Sequence, residues 1–509
     1  MLPTIDFPRN SIATGQAAIP YARQIGLLFF LTALAIALAW LPLPLAAVGL
    51  LGTVVVLLIL LHPVWGLIAL IPLIPFSSLI SLDFGGISVG GMEVLLLLIL
   101  VAWLLRLAAH HQVVFPQPPL MLPWLVWLGI ILISWLGALS LGAALTETVK
   151  WLEMLALYLF IVANVERRHI TWLVFAILLA GIAQAALGLY QFLFRVGPEG
   201  FLLFGGRFLR AYGTFRQPNP YAGYLGLILP LAYSLILWGL LDRRQRSTPS
   251  AQSLAYHRPG NALTTRYRLP ITLYSMLAFG LMLAALYASQ SRGAWIGFVA
   301  GVIAVSLARG GRVAALFALA VAVLAILGAL GAFQLLPQSI LQRFGNTLTA
   351  LSIPDIASAE VTDANFAAIE RLAHWEAALH MWRDHPWIGV GFGNYAATYP
   401  AYAIGRWLDP LGHAHNLLLN VGAETGLIGL MAYGLFWLSA FALGWQAVRR
   451  STGFELAVAA GALGVLVHLS VHNMVDNLFV QGMYLHVSIM LGLLCVIYQT
   501  RIDNSSRWD

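Results

Sequence analysis

Residues 413–430, HAHNLLLNVGAETGLIGL, pass from a polar start directly into an apolar segment. The histidines, asparagines and glutamate stand at the mouth of a segment that is typical of a membrane span. Polar and ionisable groups beside hydrocarbon are costly, so where they occur they indicate a functional site. We therefore predict a lipid-embedded scaffold that holds this stretch near a few arginines at one face of a membrane.

The composition of the chain is that of an integral membrane protein. Of its 509 residues, 60% are hydrophobic and 9% are charged, whereas a soluble globular protein carries about 25% charged residues. The net charge is +7, but the arginines are scattered between apolar segments, and we expect no nucleic-acid partner. Because Cys495 is the only cysteine, a disulfide framework within the chain and a cysteine-rich metal site are both excluded.

Apolar segments near the roughly 20 residues that cross a bilayer recur along the chain. They predict an all-α, polytopic membrane helix bundle of 12–14 transmembrane helices. Two segments are separated only by His62 and Pro63, and they could form a re-entrant pair instead of two full spans. The segments are 25–40, 44–61, 62–81, 91–109, 121–142, 148–165, 169–193, 220–241, 269–288, 294–308, 312–336, 424–447, 455–473 and 479–499.

The distribution of arginine predicts the topology. Cytoplasmic connections carry an excess of arginine and lysine, and this pattern fits an arrangement with both termini in the cytoplasm. The basic residues that break the bias then gather in the outer connections. The predicted parts are a cytoplasmic tail over 1–24, a helix bundle over 25–336, a large outer loop over 337–412, C-terminal transmembrane helices over 413–499 and a cytoplasmic tail over 500–509.

An anion site is predicted before the helix over 220–241. Asn219 is a good N-cap, and Pro220 suits the first position of a helix. Arg210 and Arg216 stand close by in the sequence, and a helix N-terminus with arginines favours a phosphate. An ordinary capped loop would have the same composition, so that alternative stays open.

Two further arginines are candidates for binding an anion. Arg292 lies in a tight turn between two apolar segments, where it binds an anion or extends toward lipid head groups. Arg371 lies in an amphipathic helix over 366–382, which we expect to rest on the membrane with its apolar side down. Trp375, one turn later, is positioned for a cation–π contact with Arg371. A solvated charge is the alternative for Arg371.

His415 is the candidate general base. No third ligand stands at a convincing spacing from His413 and His415, so we predict no metal site there. A neutral imidazole beside arginines is suited to proton transfer. Asn416 is expected to support His415, and His413 is expected to be an interface residue.

Two other features complete the polar inventory. Lys150, the only lysine, shares a helix face with Glu153 three residues later, and the pair is either structural or part of the substrate site. The glycines of Gly389-Val390-Gly391-Phe392-Gly393 predict a flexible or closely approached backbone, because no strand–helix alternation surrounds them. The glycines that follow Glu424 are expected to let the helix starting there pack closely.

These motifs together resemble the O-antigen ligase family, which also includes O-antigen polymerases and bacterial protein O-oligosaccharyltransferases. The resemblance extends over most of the chain, although the chain has more candidate helices than most ligases of the family. The motifs are Gly213-Thr214-Phe215-Arg216-Gln217-Pro218-Asn219, Ser291-Arg292-Gly293, Arg371 with the residues from Pro386 to Gly393, and His415-Asn416 with Glu424-Thr425-Gly426-Leu427-Ile428-Gly429.

The resemblance implies a membrane glycosyltransferase of the C-type fold in the bacterial cytoplasmic (inner) membrane, with its active site and large loop facing the periplasm. Such an enzyme moves a glycan from undecaprenyl diphosphate to a hydroxyl of a glycan, lipid or protein acceptor, and needs neither metal nor cofactor. By this resemblance, Arg292 and Arg371 would bind the diphosphate, and His415 would act on the acceptor. We also predict substrate-binding roles for Arg210, Arg216, Asn219, Asn416 and Lys150.

Three alternatives stay open. A polymerase of the same superfamily differs from a ligase mainly in its acceptor. A transporter for bicarbonate or another anion would carry ionisable groups through the membrane midplane, whereas here they gather near one face. A non-catalytic membrane scaffold is the third.

Overall fold

The computed structural model describes residues 28, 29, 32, 42–77, 79, 81–84, 87–109, 117–203, 206–241, 267–329, 356–362 and 365–505. Residues up to Leu61 and residues from His62 onward form separate compact units. The first contains α1 (Leu43–Leu61) among its described residues. The predicted segment 25–40 lies almost wholly outside the described residues.

The second unit is almost entirely helical in its described part. Two short antiparallel hairpins interrupt it, β1 (Ser81–Phe84) with β2 (Ile87–Gly90), and β3 (Leu202–Leu203) with β4 (Phe208–Leu209). Its helices are α2 (Pro63–Leu73), α3 (Gly91–Ala109), α4 (Met121–Ser134), α5 (Leu141–Asn164), α6 (Arg167–Phe194), α7 (Pro218–Gly226), α8 (Leu229–Leu241), α9 (Arg268–Ser289), α10 (Arg292–Ala308), α11 (Gly311–Ala329), α12 (Phe366–Asp384), α13 (Tyr395–Thr398), α14 (Leu417–Arg450), α15 (Gly453–His472) and α16 (Met483–Ser505).

The predicted fold class is confirmed: the chain is an all-α, multi-pass membrane protein. In the described residues, six helical stretches are long and apolar enough to cross a bilayer, and further apolar helices are shorter. The long ones are α3, α6, the pair α7–α8, α9, α14 and α15. The segment predicted over 62–81 forms an 11-residue helix followed by a short 3-10 turn at Ile74–Phe76, which is too short for a straight span.

Small residues bring α10 and α15 into close contact. A Cβ added to Gly301 would lie 2.9 Å from the carbonyl oxygen of Gly464, and one added to Gly297 would lie 2.8 Å from the ring of His468. Such positions let two helix backbones approach closely in a membrane. The packing fixes the start of α10 beside the end of α15.

An aromatic core holds α14 against α4 and α5. The ring of Trp124 lies 4.9 Å from that of Phe436, and the rings of Trp127 and Trp151 are 5.4 Å apart. Edge-on aromatic pairs at these distances add packing energy beyond their buried area. The part of α14 that follows the break at Gly426 therefore has a rigid support.

The amphipathic helix predicted in the large loop exists as α12 and ends two residues before Pro386. Its buried face, however, differs from the one predicted. Ile369, Ala373, Ala377 and Met381 are fully buried, and the helix packs on α14, whereas Phe366 and Leu379 are 43% and 44% exposed. Small alanines on one face let α12 approach α14, so tertiary packing selects that face instead of the larger side chains.

α14 is broken inside its length. It begins at Leu417, earlier than predicted, and Gly426 leaves the helical conformation with φ 65 and ψ −166. Four backbone hydrogen bonds join this break to residues 386–391. Val390 and Gly391 donate to the carbonyls of Ala423 and Glu424 (2.9 and 2.9 Å), while Leu427 and Ile428 donate to those of Pro386 and Trp387 (2.8 and 3.3 Å).

The glycines of residues 389–393 permit this docking. Gly389, Gly391 and Gly393 all have positive φ, and a Cβ at Gly389 would lie 2.2 Å from the carbonyl carbon of Glu424. A side chain at either of the other two would meet the backbone of α5 or of the turn before it at 2.6 to 2.8 Å. The prediction of a closely approached backbone is confirmed.

Candidate functional site

The turn His413-Ala414-His415 is held on three sides. The His415 N–H donates to Nδ1 of His413 at 3.1 Å, and the Ala414 N–H donates to Oδ1 of Asn420 at 3.0 Å. From α12, Nε1 of Trp375 donates to the carbonyl of His415 at 3.3 Å. His415 has φ 51, a left-handed conformation that costs energy for a residue with a side chain and tends to occur at functional sites.

Asn416 caps α14. Its Oδ1 accepts the N–H of Leu419 at 3.2 Å, and the neighbouring N–H of Leu417 donates to the carbonyl of Asn473 at 2.8 Å. This cap fixes the start of α14 directly after His415. The capping bond occupies its side-chain oxygen.

Asp476 faces His415. Its Oδ1 lies 3.5 Å from Nδ1 of His415, and the Asp476 side chain is 6% exposed. This distance is longer than an ordinary hydrogen bond, so the contact is electrostatic and strengthens when the imidazole is protonated. A carboxylate beside Nδ1 favours the tautomer with the proton on Nδ1, which leaves Nε2 free to accept one.

Arg371 extends the charge network from α12. It lies within electrostatic range of Asp476, His413 and His472. Among the described residues it takes part in none of the salt bridges, and the predicted cation–π contact with Trp375 does not form, because the Trp375 ring donates to His415 instead. Arg371 and His415 are therefore brought together.

The turn that carries Arg292 meets the same region. A Cβ added to Gly293 would lie 3.0 Å from the ring of His472 and 2.7 Å from Val475. His472, 1% exposed, also lies 3.3 Å from the Cβ position of Gly223 in α7. The starts of α10 and α14 and the first turns of α7 thus gather around the segment that leads to Asp476.

Arg210 and Asn219 contact each other in the loop and first turn before Arg292. The Asn219 cap is wrong: α7 begins at Pro218, after Gln217, because Pro218 itself suits a first helical position. Nη2 of Arg210 donates to Oδ1 of Asn219 at 3.1 Å, and Nε donates to the carbonyl of Ser289 at 2.9 Å. Arg210 thereby ties α7 to the turn that precedes Arg292.

Two glutamines of α6 hold the Gly213-Thr214 part of the motif. Oε1 of Gln191 accepts the Gly213 N–H at 2.7 Å, and Oε1 of Gln184 accepts the Thr214 N–H at 3.1 Å. Gly213 has φ 57, and a Cβ there would lie 2.4 Å from Gln184. This part of the motif is structural, and it orients the loop that presents Arg210 and Arg216.

Two predicted residues remain, Arg216 and Lys150. Arg216 is exposed. Lys150 forms an ion pair with Glu147, with 2.5 Å between Nζ and Oε1, whereas Glu153 accepts the hydroxyl of Tyr484 at 2.6 Å. The expected Lys150–Glu153 pair is therefore wrong, because Glu147, one turn earlier, takes the ammonium.

A possible metal ligand set does exist. His413, His415 and Asp476 have ligand atoms within 4.8 Å of one another, so the argument that no third ligand accompanies the histidines is wrong. However, Nδ1 of His413 accepts a backbone N–H, which puts the ring proton on Nε2 and leaves no free lone pair. The positive charge of Arg371 also disfavours a cation. The ring of His413 lies 4.4 Å from that of His415.

The ionisable groups of the site differ in protonation state because their surroundings differ. Burial would raise the pKa of the Asp476 carboxyl, but its contact with His415 and the charge of Arg371 outweigh burial and hold that pKa below its usual range. Burial, followed by the charge of His415, lowers the pKa of His413 to about 3 and that of His374 to about 4. At neutral pH the site thus contains an ionised Asp476 and two neutral imidazoles that do not compete for protons.

Residues 277–434 match the family model described as O-antigen ligase. An O-antigen ligase of Pseudomonas aeruginosa is 29% identical over 204 residues, which is 40% of this chain. The chain matches 42% of the length of that relative. The resemblance to the O-antigen ligase family is confirmed. The residues that match the family model, 277–434, include Arg292, Arg371 and His415 and end before Asp476.

Sequence reasoning missed the roles of Asp476, His374 and Asn420. Asp476 was visible as a carboxylate in a polar turn between two apolar segments, yet nothing in the sequence pairs it with His415. His374 is 1% exposed, and its Nδ1 lies 2.9 Å from the Tyr395 hydroxyl. Its position one turn after Arg371 was the only signal.

Proposed function

We propose that the chain is a membrane glycosyltransferase of the O-antigen ligase type. It moves a glycan from undecaprenyl diphosphate to an acceptor hydroxyl at the periplasmic face of the cytoplasmic membrane, without a metal. The observation that carries the proposal is the meeting of Arg371, Asp476 and His415 beside the turn of Arg292. The O-antigen ligase match over three of these residues supports it.

His415 is the general base. Its Nε2 accepts the proton of the acceptor hydroxyl while Asp476, next to Nδ1, stabilises the imidazolium that forms. The acceptor oxygen forms a bond to the anomeric carbon as the bond from that carbon to the diphosphate oxygen breaks. The diphosphate leaves with the electron pair. A single displacement inverts the anomeric configuration, and the detection of a covalent glycosyl–enzyme would contradict it.

Arg292 and Arg371 bind the diphosphate. Guanidinium groups match phosphate oxygens in pairs, and negative charge grows on the leaving diphosphate as the glycosidic bond breaks. Donors fixed in advance stabilise that charge most effectively. The N-terminus of α10, at Arg292, adds a positive dipole end. Arg210 contributes indirectly, since it fixes the turn that carries Arg292.

Transfer by purified protein tests the proposal. We expect His415→Ala and Arg292→Ala to lose at least about 10²-fold in rate with a lipid-linked glycan donor and a hydroxyl acceptor. His385→Ala, which changes an exposed histidine that follows α12, is the matched control and should keep its rate. Undiminished transfer by both site variants would reject the proposal.

A panel of acceptors with the wild-type protein separates the members of the superfamily. Transfer to a lipid core indicates a ligase, and transfer to a second lipid-linked glycan indicates a polymerase. Transfer to a protein hydroxyl indicates a protein O-oligosaccharyltransferase. The absence of transfer to all three acceptors would contradict the proposed activity.

A further inference from the structure

Two polar side chains inside α14 join the His415 turn to the loop docked in the helix break. Asn420 and Glu424 are 7% and 4% exposed and lie one helical turn apart, so they share a face of α14. Asn420 contacts the turn on one side. Glu424 contacts the segment that leads into α13 on the other side.

The orientation of the Asn420 amide follows from its partner. The N–H of Ala414 can only donate, so the atom that faces it at 3.0 Å is the amide oxygen. The amide nitrogen of Asn420 then points to the opposite side. The carboxylate of Glu424 lies against this amide.

Glu424 acts as an acceptor for several donors. Its Oε1 accepts the Tyr395 N–H at 2.9 Å, and the N–H of Gly393 and the amide of Asn420 also lie against the carboxylate. A backbone N–H can only donate, so the carboxyl oxygens of Glu424 that face Tyr395 and Gly393 act as acceptors. In the series of contacts from Glu424 through Asn420 to Ala414, the donor and the acceptor of each hydrogen bond are therefore fixed.

We propose that Glu424 is a positioning residue for His415, which rests on the proposed role of His415 as general base. The carboxylate sets the direction of the Asn420 amide. The amide oxygen then holds the Ala414 N–H and keeps the next residue, His415, in its left-handed conformation. Glu424 touches no reacting atom and acts only through Asn420.

A pair of substitutions with nearly unchanged shape tests the direction of the chain. In Glu424→Gln, an oxygen can still accept from Tyr395, but the new amide nitrogen faces the amide nitrogen of Asn420. We expect kcat to fall roughly 10- to 100-fold, as for other residues that orient a reacting group, with the donor KM unchanged. Asn420→Asp alone puts two carboxylates one turn apart and should also lower kcat.

In the double variant Asn420→Asp with Glu424→Gln, every hydrogen-bond donor again faces an acceptor. The new carboxylate at position 420 would accept from both the Ala414 N–H and the new amide at position 424, while the total charge stays that of the native pair. We therefore expect kcat to return to within a few-fold of the wild type. If the losses of the two single variants simply add in the double variant, the positioning role is overturned.

The labelling of His415 by diethyl pyrocarbonate, followed by mass spectrometry, tests the geometry without transferase activity. We expect the labelling rate of His415, relative to exposed His385, to change at least threefold in Glu424→Gln and to return in the double variant. Glu455→Gln, which removes a carboxylate paired with Arg167 at 3.2 Å, should leave the ratio unchanged. Equal ratios in the wild type and Glu424→Gln would overturn the positioning role. A wild type that transfers no glycan would reject the proposed function, while the labelling still tests the positioning role.

Discussion

Two polar clusters in the same bundle use charge differently. In the Lys150 cluster, the ammonium of Lys150 pairs with Glu147, and Glu153 accepts the Tyr484 hydroxyl. In the His415 cluster, which consists of Arg371, His413, His415 and Asp476, one carboxylate serves several positive or protonatable groups. The first cluster holds its cation in an ion pair, whereas in the described part of the second cluster the guanidinium of Arg371 forms no salt bridge and can bind an added anion.

This difference in charge pairing distinguishes the structural groups of the Lys150 cluster from the reactive groups of the His415 cluster. The Lys150–Glu147 pair lies within α5 and gives each of its charges a partner. A shared carboxylate leaves proton acceptors and guanidinium donors available. The clusters therefore predict different responses to the same kind of substitution.

The largest effect is expected for Asp476→Asn. The amide can donate to Nδ1 of His415 and so favour the tautomer whose Nε2 carries a proton and cannot accept another. We expect kcat to fall about 10³-fold, less than the roughly 10⁴-fold loss when a triad aspartate is replaced by asparagine, because the contact with His415 is longer here. Asp384→Asn changes an exposed carboxylate that accepts the Tyr402 hydroxyl at 3.0 Å, and it should keep its rate. If Asp476→Asn lowers kcat less than tenfold, the distinction between a structural Lys150 cluster and a reactive His415 cluster is contradicted.

The next effect concerns the cation of the His415 cluster. Arg371→Ala should lower kcat about 10²-fold, and Arg371→Lys should recover only part, because lysine lacks the forked donors that match phosphate. Arg383→Ala, an exposed arginine on the same helix, controls for the general loss of charge. Full activity of Arg371→Lys would mean that Arg371 supplies charge alone.

A smaller effect is expected on the pH dependence of stability. The pKa of His413 lies at about 3 in the folded protein against 6.5 for a free imidazole, so the unfolded chain binds more protons between those values. The melting temperature in detergent should therefore fall as the pH drops below 6.5. His413→Asn keeps an acceptor for the His415 N–H and removes the titrating imidazole at position 413. The melting temperature of this variant should therefore fall less steeply with decreasing pH. Parallel curves for the two proteins would contradict this assignment.

The smallest effect is expected for Lys150→Ala, although the sequence suggested a place at the substrate. Because Glu147 already pairs with the ammonium, we expect the transfer rate to change by less than about threefold. Glu147→Gln should behave alike, since it removes the other half of the same pair. A rate loss in Lys150→Ala near that of Arg371→Ala would place both clusters at the substrate and end the comparison.

The sequence predicted most of the helices and the membrane class, because apolar segments of the required length are a strong signal. It also singled out Arg292, Arg371 and His415, since charged groups beside apolar helices are rare. It could not pair His415 with Asp476, because the contact joins distant parts of the chain. Sequence rules do not decide whether Pro218 or Pro220 begins α7, or which face of α12 is buried. Tertiary packing decides both.

The break in α14 was invisible for a similar reason. A glycine inside an apolar helical pattern leaves the periodicity unchanged, and only the neighbouring loop reveals why Gly426 is needed there. A Cβ at Gly426 would lie 2.2 Å from the carbonyl carbon of Trp387, so alanine would be displaced from the loop as well as strained.

The same break has a consequence for the order of assembly. The backbone groups that α14 leaves open at Gly426 are satisfied by residues 386–391, and open backbone groups are not tolerated against lipid. Until that loop docks, an unbroken α14 is the lower-energy form for a newly inserted chain. The opening of α14 at Gly426 and the docking of the loop are therefore a single event, and the His415 turn, which is anchored on the same helix, reaches its final geometry only when that event is over.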